Sequence, residues 1–314
     1  MAHDAMAHDT SELYTSLRPL LFSIAYRMLG TVTEAEDIVQ ESFLRFQRAI
    51  NDGTDVETPK SYLTTTATRL SLDVLRSARH QRESYVGEWL PEPLLMDEAI
   101  GPAEHAELSD SLSMAFLVVL ETLNPIERAV FLLRDVFGYD FDQVATFVDR
   151  TADNCRQILV RARTKVQERR PRHEASAEQR AELARSFFTA CAQGDLRALK
   201  ALLAADVEFH GDGGGKAPAS ARTVVGVDKV LRLLVSLLGQ AAELGARMEP
   251  VAVNGQPGAL NLTADGQVIS VFVLDIADAR VQAIHSVVNP DKLGHLGEVA
   301  DARALLSSLR HRDR

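Results

Sequence analysis

The sequence predicts a multidomain protein: two all-helical units followed by an α+β domain. Three observations carry this expectation. Apolar residues recur at helical spacing through residues 10–82 and again through 112–170. A proline-bearing, acidic stretch, residues 83–111, separates the two and predicts a linker. Beyond residue 247 the pattern turns to short β-type runs divided by Asn254-Gly255 and Asp265-Gly266. A chain of 314 residues has room for two or three such cores.

The elements follow in order. Leu13, Leu17, Leu20, Leu21, Ile24 and Met28 mark a first helix, which Gly30 ends. Thr33 opens a second with Glu36 as its capping-box partner, burying Ala35, Ile38, Val39, Phe43 and Phe46. Pro59 starts a third whose inner stripe is Leu63, Thr66, Leu70 and Val74. In the second unit, Asn124-Pro125-Ile126-Glu127 supplies an N-cap, an N1 proline and an N3 carboxylate. Gly138 ends that helix, residues 140–148 form a short one, and Thr151 caps another. After a charged joint at residues 169–175, the third domain covers 177–296, with a C-terminal tail at 297–314. It begins with helices at 177–193 and 196–203, a strand at 207–210 and a helix at 229–238. Strands at 248–253, 259–263, 268–275 and 280–288 then build a curved antiparallel sheet.

Composition narrows the function. Two cysteines, Cys155 and Cys191, exclude a disulfide framework and a cysteine-rich zinc site. No apolar run approaches the roughly 20 residues that cross a bilayer. The polar N-terminus lacks a signal-peptide pattern, so a cytoplasmic protein without membrane, metal or cofactor is expected. The net charge of −10 argues against a generally basic coat. Against that background residues 156–172 stand out. Arg156, Arg161, Arg163, Lys165, Arg169, Arg170 and Arg172 face the single acid Glu168. Two short helices with a tight turn at Asp149-Arg150 predict a helix-turn-helix, whose second helix enters the major groove while cations hold phosphates. Cys155, Leu159, Ala162 and Val166 form its buried face, leaving Asn154, Arg156, Gln157, Arg161 and Lys165 for DNA. Cys155 reads as a small core residue.

Residues 33–41, TEAEDIVQE, resemble the region 2.2 signature of extracytoplasmic-function (ECF) sigma factors. Residues 61–82 are similar to their regions 2.3 and 2.4, and residues 123–163 to their region 4. Three further motifs, Trp89-Leu90-Pro91-Glu92-Pro93, Asp212-Gly213-Gly214-Gly215-Lys216 and Asn289-Pro290-Asp291-Lys292-Leu293, resemble those of the SigJ-like group. That group carries a C-terminal SnoaL-like (NTF2-like) α+β cone. The resemblance implies a non-enzymatic factor that binds core RNA polymerase and promoter DNA. It implies that Asp37, Gln40 and Glu41 meet the β′ clamp helices. Tyr62, Thr65, Arg69, Arg76 and Arg79 match the part that opens and reads the −10 element, with Tyr62 stacking on a base. Region 4 reads the −35 element. Asn154 departs from the threonine common in related recognition helices.

The third domain reads as a regulator fused in cis. Trp89, with Leu90, Leu94 and Leu95 around it, is expected to dock near the 212–216 loop and the 289–293 turn, where glycine backbone allows close approach. A cavity binding an unknown small molecule is a second expectation. The third is an isomerase-like site drawn from His210, Asp212, Asp275 and His285. Lys216 lacks a following Ser or Thr, so its loop is not a phosphate loop.

Overall fold

The structure, a computed structural model, describes the backbone of residues 2–95, 111–168 and 176–312. Side chains are described at 12–77, 84–95, 111–168 and 176–309. Most of the 83–111 stretch, the 169–175 joint and the end of the tail lie outside these residues. The chain divides into two compact units. One comprises Met1–Gln81 with Val119–Arg169, the other Arg82–Val118 with Arg170–Arg314.

The first unit is helical throughout: α1 (Ala2–Leu29), α2 (Val32–Asn51), α3 (Pro59–Glu83), the end of α4 (Met114–Leu120), α5 (Pro125–Phe131), α6 (Phe141–Val148) and α7 (Ala152–Gln167). All five apolar positions expected in α2 are buried. Its cap lies two residues earlier than expected, at Thr31, whose hydroxyl donates to Glu34 at 2.5 Å. Glu36 is drawn away by Arg18, 2.6 Å distant on α1. The stripe of α3 also shifts. Leu63, Ala67, Ser71, Leu72 and Leu75 are buried, whereas Thr66, Leu70 and Val74 are half-buried. Small residues at 67 and 71 admit close helix approach, and the Ser71 hydroxyl is satisfied by the Ala67 carbonyl at 2.8 Å.

The two helical groups read separately from the sequence pack together in this unit. Buried Arg128 of α5 donates to the Met28 carbonyl and to Glu121, both at 2.7 Å. Arg27, also buried and with its pKa lowered to about 10 by desolvation, lies over the Phe137 ring. The capping box at Asn124–Glu127 forms as the sequence predicts. The helix it opens passes through a π turn at Leu132–Val136 before Gly138, at φ 73°, stops it.

The second unit holds α8 (Ala177–Gln193), α9 (Leu196–Leu202), β1 (Leu203–Asp212), β2 (Val224–Val225), α10 (Val227–Glu243), β3 (Arg247–Val253), β4 (Gln256–Leu262), β5 (Val268–Ala277), β6 (Arg280–Val287) and α11 (Ala302–Arg312). Strand β2 and helix α11 were not expected. The sheet order is β2-β1-β6-β5-β4-β3. The expectation of an antiparallel sheet fails at one pairing, because β1 and β6 run parallel. Helix α10 carries the chain from β2 to the far edge, and the β3–β6 meander returns until its last strand lies beside β1. Both expected turns are present, with Asn254, Gly255 and Gly266 at positive φ.

Each face of this sheet has its own core. Phe209, Phe272, Leu274 and Ile284 pack under α8 and α10 with Phe187, Phe188, Val230 and Leu234. Val271, Val273 and Val287 form the opposite face, covered by Leu90, Met114 and Leu293. The stretch expected as a linker is therefore, over its described part, a layer of the second unit.

Candidate functional site

Parallel pairing of β1 with β6 is what makes the linker contact possible. It aligns Asp212 with Val287, so the 212–216 loop and the 289–293 turn leave the sheet side by side. The Val288 and Asn289 amides both donate to the Asp212 carbonyl, at 2.8 and 3.0 Å. Between them sits a buried ion pair, Lys292 Nζ to Asp212 Oδ2 at 2.6 Å. Lys292 also donates to the Leu90 carbonyl at 2.5 Å and lies 4.1 Å from the centroid of the Trp89 ring. The Leu90 amide donates to Asp212 Oδ2 at 2.8 Å, and Tyr85 donates to Oδ1 at 2.5 Å. Burial and the Asp212 hydrogen bond push the Tyr85 phenol pKa far up. Asn289 Nδ2 donates to the Tyr85 oxygen at 2.8 Å.

Every polar end of this buried cluster is paired, the condition under which a buried charge is tolerable. Gly214, at φ 57°, passes so close that an added Cβ would clash with Asn289 Nδ2. Lys216 pairs with Asp291 at 2.5 Å on the exposed rim. Pro91, Glu92 and Pro93 are buried as well, and His295 Nε2 donates to the Pro93 carbonyl at 2.7 Å. Leu94 exchanges backbone and side-chain bonds with Asn254. Tyr85, Glu88 and Asn254 had no sequence signal. The first two lie just before the tryptophan motif, and the third reads only as a turn.

The acid–base candidates fall beside this contact. His210 places Nδ1 2.6 Å from Glu88 and Nε2 3.0 Å from Glu208. With a carboxylate at each nitrogen, both must donate, which is the imidazolium form. Burial lowers its pKa, but Glu88 and Glu208 more than offset this and raise it above the ordinary value. His285 stacks on it at 4.9 Å, fully buried, with no hydrogen-bond partner at either nitrogen among the described residues. Burial, with the His210 charge adding, drops its pKa to about 3. Asp212 is held in the ion pair, and register puts Asp275 on this same linker-covered face. A cavity of about 1010 Å³ opens on the other face, lined by Ala184, Phe188, Leu238, Met248 and Pro257. None of the four candidates lines it, so the isomerase-like expectation is corrected: cavity and acid–base groups lie on opposite faces of the sheet.

In the first unit, the helix-turn-helix is built as expected. Asp149 adopts φ 55° at the turn, Thr151 caps α7 by accepting from the Asn154 amide, and Cys155, Ile158, Leu159, Ala162 and Val166 are buried. Burial raises the Cys155 thiol pKa. Arg156, Gln157, Arg161 and Lys165 are exposed, and Asn154 is half-buried. Carboxylates hold several cations: Arg156 to Asp153 at 2.5 Å, Arg163 to Asp135 at 2.7 Å and Lys165 to Glu127 at 2.7 Å. Burial raises the Glu127 pKa, but Lys165 and the Asn124 amide outweigh it and hold the carboxyl below its usual range.

On α2, Asp37 and Gln40 are exposed and Glu41 is half-buried, with Glu41 paired to Arg45 at 2.7 Å. Leu44, 46% exposed, stands one turn on and was missed. On α3, Tyr62 is half-buried against Phe46 at 5.8 Å, and Thr65 donates to the Ser61 carbonyl. Arg76 is exposed beside Asp73. Arg69 is exposed and donates to the Thr146 and Phe147 carbonyls at 3.0 and 3.4 Å, closing the C-terminal end of α6. The Arg79 side chain lies outside the described residues.

Comparison with known proteins agrees with these features. Residues 13–81 match the model for Sigma-70 region 2, residues 113–166 that for Sigma-70 region 4, and residues 184–289 that for a SnoaL-like domain. The chain is 36% identical over 295 residues to the ECF RNA polymerase sigma factor SigJ of Mycobacterium tuberculosis (strain ATCC 25618 / H37Rv), covering 89% of this chain and 91% of that one. It is 32% identical to a probable ECF RNA polymerase sigma factor SigI of the same strain, covering 92% and 97%. The crystal structure of Mycobacterium tuberculosis SigJ superposes with a TM-score of 0.72 at 35% identity, over 90% of this chain and 97% of that one. The chain thus belongs to the ECF sigma factors, non-enzymatic factors that bind core RNA polymerase and promoter DNA to direct transcription initiation, and it carries a SnoaL-like domain after regions 2 and 4.

Proposed function

We propose that the SnoaL-like domain regulates this sigma factor in cis by holding the segment that joins region 2 to region 4. The observation that carries the reading is the buried Asp212–Lys292 pair with Leu90 bonded to both partners. That segment cannot take another path without breaking a fully paired, desolvated cluster. The working divisions are region 2 at 10–82, the linker at 83–111, region 4 at 112–170, the regulatory domain at 177–296 and a tail at 297–314. The factor acts in the cytoplasm.

Residue roles belong to the same proposal. Asp37, Gln40 and Glu41 rim an exposed Leu44, an apolar centre with a polar edge suited to the β′ clamp helices. Tyr62, Thr65, Arg76 and Arg79 serve the −10 element, together with Arg69 once it leaves the end of α6. Asn154, Arg156, Gln157, Arg161 and Lys165 serve the −35 element. Charge reversal of Asp37 and Glu41 tests the first role: capture of core polymerase drops, whereas unchanged capture overturns it. Transcription reconstituted with core polymerase, comparing the wild type with Trp89→Ala, tests regulation. Altered promoter-dependent yield supports it, and equal yield refutes it. A second reading, a ligand-gated regulator, draws on the apolar cavity between α8, α10 and the β3–β4 edge. It predicts a thermal shift with an apolar metabolite.

A further inference from the structure

Helix α7 exposes an apolar residue where the polar reading has no use for one. Val160 is 64% exposed, opposite the buried stripe of Cys155, Leu159, Ala162 and Val166. Gln157 and Arg161 flank it, and Thr164 follows one turn later. The Thr164 hydroxyl is already spent on the Val160 carbonyl at 3.1 Å. Arg156 is held by Asp153 and lies over the Phe141 ring, Arg163 by Asp135, and Lys165 by Glu127. Gln157 and Arg161, by contrast, make no hydrogen bond or ion pair among the described residues. The helix thus presents an exposed apolar side chain beside two polar ones that hydrogen-bond to nothing among the described residues, with Arg161 attracting Glu127 only through space. A single exposed valine needs no explanation on an ordinary surface. Here it sits on the helix that enters the groove, at a position where a straight-chain polar residue would favour the helix more.

The major-groove edges of the four base pairs offer donors, acceptors and one apolar group, the 5-methyl of thymine. An apolar side chain on a groove-facing surface has that group as its complement. We propose that Val160 reads a thymine methyl in the −35 element, with Gln157 and Arg161 reading or anchoring the neighbouring steps. This rests on the reading of α7 as the −35 recognition helix.

The test uses holoenzyme reconstituted from the full chain and core polymerase. A −35 duplex is selected from a randomised pool, and each thymine is then replaced singly by deoxyuridine, which removes only the methyl. At one thymine the replacement should weaken wild-type binding by about fourfold, the worth of taking one methyl group out of water. Val160→Ala, a helix-favouring change at an exposed site, should bind the unmodified duplex more weakly and lose its response to deoxyuridine there, while responding normally elsewhere. If deoxyuridine acts identically on wild type and Val160→Ala at every position, this inference is wrong and the groove reading stands. If no −35 sequence is enriched at all, the groove reading fails and takes this inference with it.

Discussion

Two regions of this molecule handle charge in opposite ways. In the linker contact, Lys292 and Asp212 are buried, bonded to each other and to the Leu90 backbone, and roofed by Trp89 and Tyr85. On α7, Arg156 also has a carboxylate partner, Asp153, at a similar distance, but with both side chains in water. The distances would suggest equivalence. Solvent decides otherwise: a desolvated pair cannot lose one partner cheaply, whereas an exposed pair is worth little and its cation is free to change partner. The first arrangement fixes a path for the chain. The second leaves its cation open to exchange.

The sharpest way to break this comparison is to remove one charge from each region. Lys292→Ala strands Asp212 and should destabilise the second unit by about 3–5 kcal/mol. Urea unfolding followed by Trp89, the chain's single tryptophan, reads this directly. Arg156→Ala should shift the same kind of measurement on the first unit, followed by circular dichroism, by under about 1 kcal/mol. Equal shifts would erase the distinction. Leu90→Ala removes the apolar part of the contact and should cost about 2–5 kcal/mol in the second unit.

Next in size is pH, through His210 and His285. His285 stays neutral when folded, so the unfolded chain takes up a proton that the folded one refuses as pH falls below about 6.5. Stability should fall from pH 6.5 toward 5 by up to about 1.4 kcal/mol per unit. His210 works the other way: its contribution is complete below 6.5 and is lost as pH rises through its raised folded value. The groups facing the pair are Glu88 from the linker and Glu208 from β1. Trp89-monitored unfolding should peak near pH 6.5, and His285→Phe should flatten the acid limb alone. An unchanged acid limb would remove His285 from the account.

Smallest on stability but specific is Gly214→Ala. The new methyl would strike the Asn289 amide at a positive φ, loosening the Tyr85–Asn289–Asp212 bonds without removing a charge. A red-shifted Trp89 emission with a retained far-ultraviolet spectrum is the expected result. An unshifted emission would mean that the glycine is not required for the close approach.

Legibility followed the reach of the physics. The helix starts at Asn124 and Thr151 were readable because cap, proline and carboxylate act within one turn. Thr31 was missed because its rival, Thr33 with Glu36, fits the same pattern, and only Arg18 across the helix pair decides between them. The three pentapeptide motifs were readable as a group. The reason they converge was not, because it lies in the parallel β1–β6 register, a long-range pairing with no local signature. The turn at Asp278-Ala279 places alanine at positive φ, which composition does not announce. The Arg69 contact to α6 has no local signal because its partners are backbone carbonyls 77 and 78 residues away.

The most direct test of the central claim is promoter-dependent run-off transcription with purified core polymerase. It compares wild type with Trp89→Ala and Gly214→Ala at matched concentration, each variant first shown to be folded by circular dichroism. If the held linker governs activity, both variants change transcript yield in the same direction, in proportion to the loosening that Trp89 emission reports for Gly214→Ala. Wild-type yields from both folded variants would contradict regulation in cis and leave the third domain as cargo on an otherwise ordinary sigma factor.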